Sequence, residues 1–294
     1  MSVELVNGLI KRTEYAGDLL RQGKCLAGTD VTVAQRYDGT TISGGGGFRI
    51  VGTAVVGGVS RGFLYNGSTF TDIIYPGASG TGAHDVDGSN IVGSVSISGI
   101  TKGFLYNGST FTDIIYPSAT QTQAFGINGS NIVGPVVVTL PTKGFLYNGS
   151  TFTDIIYPGT PRRETFAYGI DDSNIVGRAF RSGVVIGFLY NGSTFTDIIY
   201  PGASQTIAFG IDGLNIVGYA LVGGKNRGFL YDGSTYTDII YPGASDTQAI
   251  KIDGSNIVGW AVVGGTNRGF LYNGSTFTDI IYPGATSTIA YGIG

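Results

Sequence analysis

The sequence predicts an all-β fold, a six-bladed β-propeller with four-stranded blades. Three observations carry this prediction: a repeat of about 41 residues, a period-two apolar pattern inside it, and a repeat phase split between the two ends of the chain. The phrase GFLY begins at Gly62, Gly103, Gly144, Gly187, Gly228 and Gly269, in steps of 41, 41, 43, 41 and 41. IVG recurs with the same steps from Ile50, and a short run opening on Ala recurs at Ala83, Ala124, Ala167, Ala208, Ala249 and Ala290. The first copy lacks its Ala run and the last copy stops after it. A ring accounts for this split, because AYGI (290–293) would supply the innermost strand of the blade whose other strands lie near Ile50.

Each copy reads as four strands: the Ala run, an NIVGYALV type, an RGFLY type and a TFTDIIY type. Phe70, Asp72 and Ile74 alternate with Thr71, Ile73 and Tyr75, the period of a strand. Asn66-Gly67 and its equivalents predict a type I′ hairpin turn between the third and fourth strands. A DGSN-type turn follows the first strand. Proline follows the fourth strand at Pro76, Pro117, Pro158, Pro201, Pro242 and Pro283, where a missing N–H harms no ladder.

Composition narrows the functions. Aromatic residues make up 12% and charged residues 13%, which suits a packed core, and a formal charge of -3 gives no broad basic footprint for nucleic acid. Cys25 is the single cysteine, which excludes an internal disulfide and a thiolate metal cluster. The opening residues have no signal-peptide core and no long apolar span, so neither general secretion nor membrane insertion is expected from them. A cytosolic protein, or one carried outside as part of a larger particle, fits this opening.

Turns after the first and third strands are nearly constant between copies, whereas the other two connections vary. The segment between IVG and GF runs from TAVVGGVSR to WAVVGGTNR, and the segment after the fourth strand from PGASGTG to PGTPRRETF. Residues 1–47 form a leader attached to the constant face, and 48–294 form the propeller. Within the leader, VELVNGLIKRTEYAGDLLRQ predicts a helix with Val3, Val6, Ile10 and Leu20 on one stripe, and DVTVAQRYDGTTI with Asp38-Gly39 predicts a small hairpin. Gly44 to Gly47 form a joint.

Catalytic chemistry is poorly supplied. His84 is the only histidine, in a position filled by Phe125, Tyr168, Phe209, Ile250 or Tyr291 elsewhere, which favours packing over catalysis. Asp72, Asp113, Asp154, Asp197, Asp238 and Asp279 recur once per copy, the mark of a repeated hydrogen bond. DVDGSN (85–90) resembles the start of a calcium loop through Asp85, Asp87 and Asn90, but lacks the later acidic ligand, so a plain turn and no metal or other cofactor is expected. The NGS triplets fit an N-glycosylation acceptor formally, and turn geometry explains them already.

The candidate ligand-binding residues belong to the variable side. Arg61, Lys102, Lys143, Arg227 and Arg268 precede Gly-Phe in five copies, with Ile186 in the sixth. They are either solvated rim charges or contacts for acidic sugars or phosphates. Trp260, Tyr219 and Arg178 share one position with Thr53, Ser94 and Pro135, where packing between blades competes with stacking on a sugar face. Arg162 and Arg163 lie in the longest variable connection.

GFLYNGSTFTDIIYPGAS with GIDGSNIVG resembles the bacterial and cyanobacterial extracellular HAF-type repeat proteins over residues 48–294. The resemblance implies fold and location more than activity. The leader resembles the openings of phage tail and other virion appendage proteins. The resulting expectation is a non-enzymatic recognition module that binds glycans or another cell-surface receptor through the variable face, as in the tip of a tail fibre. Its leader (1–43) would mediate self-association or attachment to a particle. A structural spacer or decoration on a virion or cell surface is the alternative. An enzymatic reading would need a carboxylate pair at the channel mouth.

Overall fold

The computed structural model describes residues 5–6, 9–10, 33–35, 41–43, 48–138, 141–159 and 164–294. It divides into two compact units, Met1–Phe48 and Arg49–Gly294. In the first, Val33–Gln35 pairs with Thr41–Ser43 as the Asp38-Gly39 signal predicts. Within the stretch that predicts a helix, Leu5–Val6 instead pairs antiparallel with Leu9–Ile10. The Asn-Gly dipeptide between them is a hairpin signal that outweighs the weak apolar stripe. The rest of that stretch, the glycine joint, Arg162 and Arg163 lie outside the described residues.

The second unit is all-β. Four of its sheets have four antiparallel strands each. One runs Thr165–Asp171, Asn174–Arg181, Val184–Tyr190, Phe195–Ile198 from its inner to its outer strand. The next two, opening on Gln205–Asp212 and Asp246–Asp253, repeat that order. The fourth joins the two ends of this unit: Ser287–Ile293 lies beside Ile50–Val56, followed by Val59–Tyr65 and Phe70–Ile73. Ile293 faces Ile50 in this ladder. Two further four-stranded arrays, opening on Thr81–Asp87 and on Gln121–Thr122 with Gly126–Asn128, are joined into one sheet where Thr101 pairs with Gln121. The inner strands touch in succession, from Thr81–Asp87 through Gly126–Asn128 and onward to Ser287–Ile293, which touches Thr81–Asp87 again.

One cross-strand pair explains why IVG and GFLY keep their spacing. Each IVG glycine faces the GFLY phenylalanine on the adjacent strand, as Gly93 faces Phe104 and Gly218 faces Phe229. All six phenylalanines are fully buried, and each ring covers its glycine. A Cβ on Gly218 would stand 1.9 Å from the Ile207 carbonyl oxygen and 2.9 Å from Phe229 Cζ. The cores lie between neighbouring sheets: Val176 and Ile198 of one pack against Ala208, Ile211, Ile216, Ala220 and Phe229 of the next.

The turn between the third and fourth strands differs from the sequence expectation. Tyr65 pairs with Phe70, which leaves a four-residue loop at Asn66–Thr69, and only its glycine has positive φ, at 93°. Asn66 closes this loop with its side chain, its Oδ1 accepting from Ser68 N at 3.0 Å and Thr69 N at 2.8 Å. This Asx turn removes the need for positive φ at Asn66 that a type I′ turn imposes. Two-residue turns with positive φ at both positions occur instead at Gly57-Gly58, Ser98-Gly99, Ser182-Gly183, Gly223-Gly224 and Gly264-Gly265. The segments between IVG and GF are therefore mostly strand, and their variation sits on rigid ladders rather than on loops.

Two sets of polar ties join neighbouring sheets. At the outer edge Tyr75 donates to Asp113 at 2.6 Å, Tyr116 to Asp154 at 2.8 Å and Tyr200 to Asp238 at 2.6 Å. Tyr157 donates likewise to Asp197. Tyr241 donates to Asp279 at 2.5 Å, and Tyr282 repeats the tie at 2.5 Å to Asp72, across the junction of the chain ends. Nearer the axis Asp87, Asp171 and Asp212 accept from the backbone N–H of Gly129, Gly213 and Gly254 in the following sheet. The once-per-copy aspartates are thus repeated hydrogen-bond acceptors.

Replacing Gly218 with alanine forces a methyl group against backbone, and about 1–3 kcal/mol of stability should be lost. Thermal denaturation should show a midpoint lowered by several degrees. An unchanged midpoint would mean that the Gly–Phe pair does not set this register.

Candidate functional site

Five of the six inner strands are interrupted at one position by a bulge: between Ala83 and Asp85, Ala167 and Gly169, Ala208 and Gly210, Ala249 and Lys251, and Ala290 and Gly292; the sixth is broken instead between Gln121–Thr122 and Gly126–Asn128. A bulge re-aims the extra residue out of the ladder. The side chains set there, His84, Tyr168, Phe209, Ile250 and Tyr291, meet with Phe125 around the axis. His84 stacks on Phe125 at 4.4 Å and 10°, and Tyr168 lies 4.7 Å from Phe209. Together with Asp85 and Lys251 they enclose a cavity of about 20 Å³, so the axis is plugged.

His84 Nδ1 lies 2.9 Å from the Ala124 carbonyl oxygen, which can only accept, so Nδ1 carries the proton. Burial pushes its pKa down to about 4, against a smaller upward pull from that bond. The ring is therefore neutral and packed.

Asp85 and Lys251 form the feature that the sequence reading missed. Lys251 Nζ donates to Asp85 Oδ2 at 2.6 Å, with side-chain exposures of 12% and 1%. Ile127 N donates to the same oxygen at 3.0 Å, and Val86 N to Oδ1 at 3.0 Å. Burial pushes the Asp85 carboxyl upward, opposed by the Lys251 ammonium and the two backbone donors. Asp85 thus ties three inner strands together. The signal was present in the copies: Gly126, Gly169, Gly210 and Gly292 fill the position that carries Asp85 and Lys251 in the other two, a matched pair of opposite charges. Asp85 and Asp87 do not converge on a common point, since Asp87 holds Gly129 N, and no metal-type cluster occurs among the described residues.

The rim cations are engaged. Arg61, Lys102, Lys143, Arg227 and Arg268 pair with Asp72, Asp113, Asp154, Asp238 and Asp279 at 3.2, 3.0, 2.7, 2.7 and 3.0 Å. They brace the outer belt instead of standing free. Where Ile186 interrupts the series, Arg181 reaches Asp197 at 2.7 Å from the neighbouring strand. Such part-exposed pairs contribute about 0–1 kcal/mol each.

Arg178, Tyr219 and Trp260 stand on three consecutive sheets, each on the second strand, opposite Phe166, Ile207 and Gln248 of the inner strand. Each is partly exposed. The Arg178 guanidinium lies 4.2 Å over the Phe166 ring, and Tyr219 lies 5.8 Å from Phe209. Burial pushes the Tyr168 phenol up to about 12 despite Arg178 beside it, and raises Tyr219 for the same reason. Arg178 and Tyr219 thus border the axial side chains Tyr168 and Phe209, and Trp260 holds the equivalent ladder position on the next sheet. Thr53, Ser94 and Pro135 fill the same position on the remaining sheets.

Two predictions follow from the axis. His84 has a folded pKa below its unfolded value, so stability falls as pH drops from about 6.5 to 4, by a few kcal/mol at most. The His84→Phe variant, matching Phe125 and Phe209, should flatten that part of a stability-against-pH curve; an unchanged slope would contradict it. Lys251→Met leaves Asp85 buried without its ion, at a cost of about 3–5 kcal/mol. Denaturant melts should show most of this recovered in the Asp85→Gly, Lys251→Gly double variant, and equal loss in both would contradict the coupling.

No family model and no curated protein matches the chain. Among solved structures it is similar to TolB from Acinetobacter baumannii, with TM-score 0.63 and 13% identity over 85% of this chain and 68% of that one. A putative TolB from Agrobacterium tumefaciens gives TM-score 0.59 and 13% identity over 84% and 98% of the two chains. A nidogen/laminin complex gives 0.57 and 12% over 84% and 97%. At these identities the likeness shows the fold alone: four-stranded antiparallel sheets arranged as a β-propeller.

Proposed function

We propose that residues 49–294 form a closed six-bladed propeller that works as a non-enzymatic recognition module, binding a partner protein at the axial mouth beside Tyr219 and Trp260. The observation that carries this reading is the asymmetry of an otherwise repetitive ring. The copies keep their packing and turn residues, yet Arg178, Tyr219 and Trp260 cluster on three successive sheets, where the others carry Thr, Ser or Pro. Large, stiff aromatic side chains concentrate binding energy at interfaces. The plugged axis leaves a shallow surface, which suits a protein partner better than a small substrate. The nidogen/laminin structure is itself a complex of two proteins, and that supports the same class of role.

A glycan receptor is the finer alternative, through stacking of sugar faces on Trp260 and Tyr219. The resemblance of the repeats to extracellular HAF-type proteins supports a location outside the cell or on a particle, with the leader as the attachment element. Immobilised full-length protein, incubated with solubilised cell-surface proteins and in parallel with a glycan array, tests the reading. A retained protein that is lost with Trp260→Ala and Tyr219→Ala, but kept with Thr235→Ala on the constant side, is the expected result. Equal retention by all variants would overturn it, and retention of glycans alone would move the assignment to a lectin.

A further inference from the structure

We propose that Arg178, flanked by the phenols of Tyr168 and Tyr219, receives the carboxylate of an acidic peptide segment on the partner. This deepens the recognition reading above and rests on it.

Arg178 takes part in none of the ion pairs among the described residues, although every cation of the outer belt has its carboxylate. Its Nε is buried and has no hydrogen-bond partner. The Nε donor is left unsatisfied at a cost to stability, and because it is buried a partner's carboxylate would meet the terminal guanidinium nitrogens, one side of which already serves Tyr168. The fold does not require arginine here, since Thr53, Ser94 and Pro135 occupy the position in other copies. The guanidinium is nonetheless fixed, by its stacking over Phe166. Tyr168 and Tyr219 both lie within the field of its charge. Both keep their protons at neutral pH, so they add hydroxyl donors and no competing anion. A fixed guanidinium with phenolic donors beside it matches a carboxylate in charge and in hydrogen-bonding sense.

The axial cavity lined by the bulge side chains holds only about 20 Å³. It cannot enclose a sugar ring, whereas one acidic side chain projecting from a flat protein surface can reach Arg178.

The test is an NMR titration of the full-length chain, following the Arg178 Nε–Hε resonance in the parent and the backbone amides of Tyr168 and Tyr219 in both parent and variant. The probe is an N-acetylated, C-amidated hexaglutamate peptide, with the hexaglutamine analogue at matched ionic strength as control. A saturable shift with the glutamate peptide alone is expected, with affinity weakened about tenfold or more in Arg178→Thr. The native threonine at position 53 makes that variant compatible with the fold, and its circular dichroism spectrum should match the parent. No saturable shift, an equal response to hexaglutamine, or equal affinity in Arg178→Thr would overturn the assignment. Saturation by oligogalacturonate without any response to the peptide would overturn the peptide occupant. Loss of partner capture in Trp260→Ala with Arg178 silent to the peptide would remove the carboxylate site and leave the recognition reading standing. The reverse result would remove the recognition reading and keep the site.

Discussion

An inner strand needs a second strand to pair with, and Ser287–Ile293 finds its partner in Ile50–Val56, more than two hundred residues away along the chain. That ladder constrains everything else in the propeller. It lets the Tyr282–Asp72 tie repeat across the junction the bond made inside the rest of the chain. It also places Tyr291 among the axial side chains, beside His84 at 5.4 Å. Without it one sheet would lack its inner strand and the axial plug one of its members. The backbone bonds of such a ladder contribute about 0.5–1.5 kcal/mol each, and pairing also removes exposed edges.

Within this frame the repeat divides its labour. The Gly–Phe pair sets the register of the second and third strands, and the Tyr–Asp–cation belt links the outer edges. Five bulges, and the break at Phe125, turn one side chain per copy into the axis. These features recur because each sheet meets the same neighbour. The exceptions are therefore informative: Asp85 with Lys251 below the plug, and Arg178, Tyr219 and Trp260 at the mouth. The first pair replaces glycines that elsewhere admit close backbone approach, as at Gly169, where a Cβ would stand 2.4 Å from the Phe209 carbonyl oxygen. The second group has no part in the belt and leaves a charge unmatched.

Much of the fold was legible in the sequence, because periodicity and punctuation are local signals. The four strands per copy, the hairpin at Val33–Gln35 with Thr41–Ser43, the pairing of Ile293 with Ile50 and the acceptor role of the recurrent aspartates all follow from spacing. What failed did so for physical reasons. The Asn66 loop is closed by its side chain, which dipeptide statistics do not distinguish from a two-residue turn. The segment around Leu5–Ile10 contains an apolar stripe and a hairpin signal at once, and the shorter-range signal prevailed. The rim cations read as free because their partners lie 11 residues away, on the next strand. Lys251 and Asp85 lie 166 residues apart and meet only through the arrangement of inner strands, although comparing copies position by position exposes them.

Native-state hydrogen exchange across the joining ladder tests the central claim most directly. Amides of Ile50–Val56 and Ser287–Ile293 should open only with the whole propeller, at the same free energy as those of Gln205–Asp212 and Asn215–Val222. Exchange of the joining ladder by local fraying, many-fold faster than the internal sheets, would mean that the two ends of the propeller unit do not form one of its structural units.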